Sequence, residues 1–268
     1  MDLLIEGKRA LVTGSSRGIG ESMVKALAQE GAVVIVHGRN DKDAKRVAEE
    51  IRENGGKAFI AIGDLNTDEG AKKVADAALT LLGGIDILVN NAGIYFSRGW
   101  NDTTSEQWAE IYNANVISMV RMIRLLTPQM KELGWGRIIQ VGSAFGQYPG
   151  QLVADYSATK GATNSLTVSL AKELAGTAIT VNTVSPGPIA TDNLNNLMLG
   201  IANMLGWETM DLNDIRQRFL EGPMQNPTGR LGKVEEVANL VTFIASPLAD
   251  FINGSNLRVD GGYVPTVN

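Results

Sequence analysis

Three observations predict a doubly wound α/β fold built on a parallel sheet for this chain of 268 residues. Short runs rich in Val and Ile alternate with longer amphipathic stretches over the first two thirds of the chain. A glycine-rich turn joins the first apolar run to the first helical stretch. No Pro-, Gly- or Ser-rich linker, internal repeat or low-complexity tract divides the series, so a single domain spanning residues 1–268 is expected. Strands covered on both faces read as continuous apolar runs, and strands that alternate with helices close into right-handed βαβ units.

The strand-like runs are Arg9 to Thr13, Ala32 to His37, Ala58 to Ile62, Ile85 to Asn90, Arg137 to Val141 and Ile179 to Val184. Helical stretches between them run from Gly18 to Glu30, Asp41 to Asn54, Asp68 to Leu82, Ser105 to Leu133 and Asp155 to Ala175. A helix from Val234 to Ala245 and a strand from Asn256 to Val259 complete the series. From Thr191 to Arg230 the strand pattern stops, although Leu194, Leu197, Met198, Leu199, Ile201, Met204, Leu205, Trp207 and Met210 keep the stretch apolar. An insertion of that length in a compact domain reads as a lid over a binding site, or as a helical hairpin packed on the core.

Composition narrows the function. With no cysteine, disulfides, thiolate metal sites and cysteine nucleophiles are excluded together, and the single histidine, His37, has no partner at metal-ligand spacing. His37 lies in a strand pattern far from any candidate nucleophile, so no Ser-His-Asp triad is expected; it reads as a strand-end side chain near an adenosine pocket. A net charge of −5 argues against a nucleic-acid surface. The acidic start MDLLIEGKRALVTG lacks the cationic opening of a signal peptide, and no apolar run is long enough to span a bilayer, so a cytoplasmic protein with no membrane contact is expected.

The first strand ends in Thr13-Gly14-Ser15-Ser16-Arg17-Gly18-Ile19-Gly20, a G-x-x-x-G-x-G spacing. Gly14 permits a tight exit from the strand, Gly18 a close approach of backbone to a pyrophosphate, and Gly20 close packing of helix on sheet. The helix N-terminus then offers free N–H donors and a positive dipole end to an anion. Tyr156 and Lys160 lie one turn apart on one helix face, where an ammonium can favour a phenolate. Ser143 closes the fifth strand, at the carboxyl end where a parallel sheet binds its ligands.

Taken in order, TGSSRGIG, Asn90 to Gly93 (NNAG), Ser143, Tyr156-x-x-x-Lys160 and Pro186 to Thr191 (PGPIAT) resemble the short-chain dehydrogenase/reductase family over essentially the whole chain. The resemblance implies a Rossmann-like sheet of seven strands, a homotetramer, and hydride transfer between a nicotinamide cofactor and a carbonyl or alcohol. Tyr156 would donate the proton, Lys160 tune the phenol and bind the nicotinamide ribose, Ser143 hold the substrate oxygen, and Asn115 hold a water in a proton relay.

For the cofactor, the resemblance points to the backbone and side chains of Gly14, Ser15, Ser16, Arg17, Gly18, Ile19 and Gly20. It adds Asp64 and Leu65 at the adenine, Asn90, Ala92 and Gly93 beneath the ring and ribose, and Tyr156, Lys160, Pro186, Gly187, Ile189 and Thr191 around the nicotinamide. Relatives that bind NAD carry an acid at the end of the second strand, where this chain has Gly38 followed by Arg39. A guanidinium clamps a 2′-phosphate that an acid would repel, so Arg39 and Arg17 predict NADP(H).

The residues expected to border the nicotinamide are Tyr95, Phe96, Phe145, Tyr148, Leu152, Val153 and Pro188, an apolar pocket suited to a ketone, keto ester or 3-oxoacyl group of modest size. Acyl-carrier-protein reductases resemble the chain in every motif, yet Gly134 and Thr177 stand where bacterial ones carry arginines, with Lys131 and Lys172 nearby. A regulatory protein that binds the cofactor without turnover is the alternative from another class, and the intact set Ser143, Tyr156, Lys160 and Asn115 opposes it.

Overall fold

Alternation within the strands decides how the layers form. In β1 (Arg9–Val12), Ala10 and Val12 join one apolar cluster while Leu11 joins another; in β2 (Val33–Gly38), Val34 and Val36 part from Ile35 in the same way. A strand that buries both faces must be covered on both sides. In this computed structural model, which describes residues 2–207 and 210–266, helices supply both covers.

One sheet carries β3 (Lys57–Ile62), β4 (Ile87–Asn90), β5 (Gly136–Val141), β6 (Ile179–Pro186) and β7 (Asn256–Val259) beside the first two strands, in the order β3-β2-β1-β4-β5-β6-β7. All six pairings are parallel, with Ala10 opposite Val34 on one side and Ile87 on the other. Met23, Val24 and Leu27 of α1 (Gly18–Gln29), Val47 and Ile51 of α2 (Asp41–Glu53) and Val241 and Ile244 of α9 (Val234–Ile244) form one layer. Val74 and Ala78 of α3 (Asp68–Leu82) and Met122, Leu126 and Met130 of α5 (Ser118–Leu133) form the other. Strand order reverses between β1 and β4, and the crevice beyond the carboxyl ends of those strands is where open α/β sheets bind ligands.

Two departures from the expected elements bear on function. The stretch expected as one helix from Ser105 to Leu133 is α4 (Ser105–Tyr112) and α5 separated by a π-helical turn, Asn113–Ile117. A π turn re-aims the side chains it carries and recurs at functional sites. The expected insertion is two helices, α7 (Asp192–Met204) and α8 (Leu212–Glu221), capped by Thr191 and Asp211 and joined by their own core of Met198, Ala202, Ile215 and Phe219. Glu208 and Thr209 of that insertion, and the side chain of Met204, lie outside the described residues. Among the described residues no helix is long and apolar enough to cross a membrane.

Candidate active site

The glycine turn is shaped by torsion and by contact. Gly14 has φ +64°, and a β-carbon there would sit 2.9 Å from the Ala92 Cα; one on Gly20 would sit 2.3 Å from the Gly14 carbonyl oxygen. Gly18, at φ +60°, has nothing within 4 Å of that position, so its open side is free for a ligand to approach. Both torsions lie where side chains are disfavoured. His37, 3% exposed, ties the turn down: its Nδ1 accepts the Gly14 N–H at 2.9 Å, and its Nε2 lies 3.2 Å from the Gly63 carbonyl oxygen. An accepting Nδ1 and a donating Nε2 define the neutral imidazole, and burial pushes its pKa down to about 4. The strand-end reading therefore missed what this histidine does: it links β1, β2 and the exit of β3.

Ser15 turns inward: its N–H donates to the His37 carbonyl at 2.8 Å and its hydroxyl to the Val12 carbonyl at 2.7 Å, so both donors are engaged within the chain. Ser16, Arg17 and Arg39 remain at the surface of the turn, and neither arginine forms an ion pair among the described residues. A β-carbon on Gly38 would start 2.9 Å from Ser16 Oγ, so an acid at that position would have to displace the serine. Asp64 is exposed and its Oδ1 accepts the Asn66 N–H at 3.1 Å, which is loop-capping work; Leu65 beside it is buried. These residues fit a phosphorylated dinucleotide: an open glycine, free first-turn N–H groups, two unpaired guanidinium groups and no acid.

Below the crevice, Thr13 organises the end of β4: its Oγ1 accepts the N–H groups of Asn91 and Ala92 at 2.9 and 3.0 Å. Asn91 Nδ2 donates to the carbonyls of Thr13 and Gly14. Asn90 is buried, and Gly93 leaves room for Asn115 Oδ1, which would sit 3.0 Å from a β-carbon there. Asn115, carried by the π turn and fully buried, grips Ile94 in both directions at 2.8 Å and reaches Thr159 Oγ1 at 3.2 Å. Its side chain thus ties the chain after β4 to Thr159.

Ser143, Tyr156 and Lys160 converge. Ser143 follows β5 and accepts the Phe145 N–H at 3.2 Å; Tyr156 and Lys160 lie in the first turns of α6 (Ala154–Glu173). The Lys160 Nζ is 5.5 Å from the centre of the Tyr156 ring and donates to the Val141 carbonyl at 2.7 Å. Burial pulls the Lys160 ammonium down to about 8. The protein alone does not lower the phenol as expected. Burial pushes Tyr156 up to about 12, against the downward pull of a hydrogen bond with Ser143 and with a further upward contribution from Tyr95. A phenol held protonated is placed to give its proton rather than to lose it to water.

Aromatic rings frame this phenol: Tyr95 at 5.8 Å and Phe145 at 6.4 Å between centroids, with Tyr263 edge-on to Phe145 and to Tyr148. Val153 is buried, whereas Phe96, Tyr148 and Leu152 are exposed and form a rim rather than a lining. Tyr263 was missed, because nothing in its local sequence connects the chain's end to the crevice. Pro186 ends β6; the Gly187 N–H bonds the Val259 carbonyl, Pro188 accepts the Gly232 N–H, Ile189 is buried against Gly232, and Thr191 caps α7. The PGPIAT stretch therefore hangs the helical insertion beside the crevice. Among the described residues no cluster of three or more His, Asp or Glu could hold a metal ion.

Comparison with known proteins bears on the same residues. The model of the family described as short chain dehydrogenase matches residues 8–200. An oxidoreductase of Bacillus subtilis of unassigned substrate is 37% identical over 100% of both chains. A 3-oxoacyl-[acyl-carrier-protein] reductase of Aquifex aeolicus is 37% identical over 98% of this chain and 99% of its own. The crystal structure of L-sorbose reductase from Gluconobacter frateurii, complexed with NADPH and L-sorbose, superposes with a TM-score of 0.94 at 31% identity over 100% of both chains.

Proposed function

The chain belongs to the short-chain dehydrogenase family, and on that premise we propose that it transfers hydride between NADPH and a carbonyl substrate to give a secondary alcohol. The observation that carries the reading is the meeting of Ser143, Tyr156 and Lys160 beside an open glycine turn at the sheet's switch point. NADPH held by the glycine turn, Arg17 and Arg39 would supply the hydride that the carbonyl carbon accepts. Tyr156 gives its hydroxyl proton to the carbonyl oxygen, so the alcohol O–H bond forms as the phenol O–H bond breaks. Ser143 holds that oxygen where negative charge develops, and Lys160, largely protonated at neutral pH, faces the resulting phenolate. Arg17 and Arg39 take the 2′-phosphate, with Ser16 and the first-turn N–H groups of α1 on the other phosphates.

The substrate proposed is a small open-chain ketone, with ketoses included because the L-sorbose reductase shares the fold closely. The aromatic frame of Tyr95, Phe145 and Tyr263 suits such a molecule. A second reading, reduction of a carrier-bound 3-oxoacyl group, is favoured by the Aquifex relative and disfavoured by Gly134 and Thr177. Loss of NADPH absorbance over a panel of ketoses, keto esters and a 3-oxoacyl-carrier protein separates them. Tyr156→Phe is expected to abolish turnover while retaining NADPH affinity, Lys160→Ala to impair both, and Ser143→Ala to cut turnover on the order of 10²-fold. Retention of more than about a tenth of turnover by Tyr156→Phe would end the proton-donor role.

A further inference from the structure

We propose that Arg98 and Asp155 form a charge-compensated latch that positions Tyr156 and spares its phenol an unanswered negative charge on the neighbouring residue. The inference rests on the reading of Tyr156 as the proton donor and concerns two residues outside the motifs. Asp155 immediately precedes Tyr156 and is only 1% exposed. One carboxylate oxygen, Oδ1, accepts the Tyr156 backbone N–H at 2.7 Å, satisfying a donor that the first turn of α6 leaves without a helical acceptor. The other, Oδ2, accepts Arg98 Nε at 3.1 Å.

Arg98 is held on three sides. Its backbone N–H donates to the Leu152 carbonyl at 2.9 Å, its backbone pairs with Val153 as an isolated parallel bridge, and its guanidinium stacks 4.3 Å from the centre of the Phe96 ring. The segment after β4 is therefore pinned at both ends, by Asn115 at Ile94 and by the ion pair at Arg98. Tyr95, between those pins, lies against the Tyr156 ring. A buried carboxylate on the residue before the proton donor is tolerable only while its charge is answered.

Left unanswered, Asp155 would oppose phenolate formation. Among the described residues, the other groups facing this point are few. Lys160 comes from α6 itself, Tyr95 from the segment after β4, and Tyr263 stands behind Phe145. The π turn, the turn Ala144–Gly146 and β6 bring no charged side chain, and α4 keeps Glu106 and Glu110 exposed. Arg98 is thus the cation that answers Asp155, and Lys160 is the one that faces the phenol.

The test is an ultraviolet titration of the phenol on protein saturated with NADP⁺, with the spectrum of Tyr156→Phe subtracted, in Arg98→Met, Asp155→Asn and the double variant. Arg98→Met is expected to raise the Tyr156 pKa by about one unit or more, the direction that an unanswered negative charge on the neighbouring residue imposes. Asp155→Asn keeps an acceptor for the Tyr156 N–H, and the double variant, with no net charge at the pair, is expected to return near the wild-type curve. Restoration is the discriminating result, because a latch acting through packing alone would leave the double variant as perturbed as Arg98→Met. Where Arg98→Met does not fold, Arg98→Gln carries that arm. An unshifted titration in the arginine variant, or no recovery in the double variant, overturns the inference. Turnover by Tyr156→Phe overturns the proton-donor reading instead, so the two failures are distinct.

Discussion

Protonating His37 should destabilise the protein, and the structure sets the size of the effect. The imidazole is buried and neutral, accepting from Gly14 through Nδ1 and lying against the Gly63 carbonyl through Nε2. Its pKa is pushed down from 6.5 to about 4 by burial. Between those values the unfolded chain binds a proton that the native state refuses, so stability rises with pH across the window. The contribution is fully present above pH 6.5 and is lost as the pH falls to about 4. At ~1.4 kcal/mol per pKa unit, the loss comes to about 3 kcal/mol, with some 2 kcal/mol already gone at about pH 5.

Urea unfolding of the wild type and of His37→Gln at pH 7, 6, 5 and 4.5 measures this directly. Glutamine keeps an oxygen for the Gly14 N–H and an amide donor for Gly63 but does not titrate there, so its stability should be flatter over the same range. Carboxylates that protonate toward the acid end affect both proteins alike and cancel in the difference. If the two proteins lose stability in parallel between pH 6.5 and 4.5, the histidine is not held neutral and the reasoning fails.

Other perturbations follow from other parts of the fold. NADPH is expected to bind at least tenfold more tightly than NADH, about 1.4 kcal/mol, and Gly38→Asp to shift preference toward NADH once Ser16 is displaced; fluorescence titration of both cofactors decides, and equal affinities refute it. Phe219→Ala, removing a side chain 5% exposed in the insertion's own core, should cost about 3 kcal/mol locally. Measured on the ketone best turned over, it should raise KM with little change in the main unfolding transition. A homotetramer is proposed, and light scattering that returns a mass near the monomer's 28.6 kDa would remove it.

The order of strands and helices, the glycine turn and the spacing of Tyr156 and Lys160 were legible in the sequence because each is a local property. Alternation in β1 and β2 reports burial on two faces, and Gly14 and Gly18 report torsions that other residues avoid. The basic pair at Arg17 and Arg39 was legible for the same reason, since an absent acid at Gly38 can be read without knowing the fold.

What tertiary structure alone decided involves partners distant in the chain. The π turn is invisible to periodicity, because Asn113 to Ile117 continue the helical pattern on either side; the Asn115 side chain it carries is spent on Ile94 and Thr159. His37 became a tether for Gly14, and Ser15 turned inward, only when β1 and β2 aligned in register. Arg98 meets Asp155, and Tyr263 stands at Phe145, only because the segments after β4 and β7 end at the same crevice. Local patterns depend on torsion and burial, which neighbouring residues encode. Charge compensation and tautomer choice depend on who is opposite, and only the folded sheet supplies that neighbour.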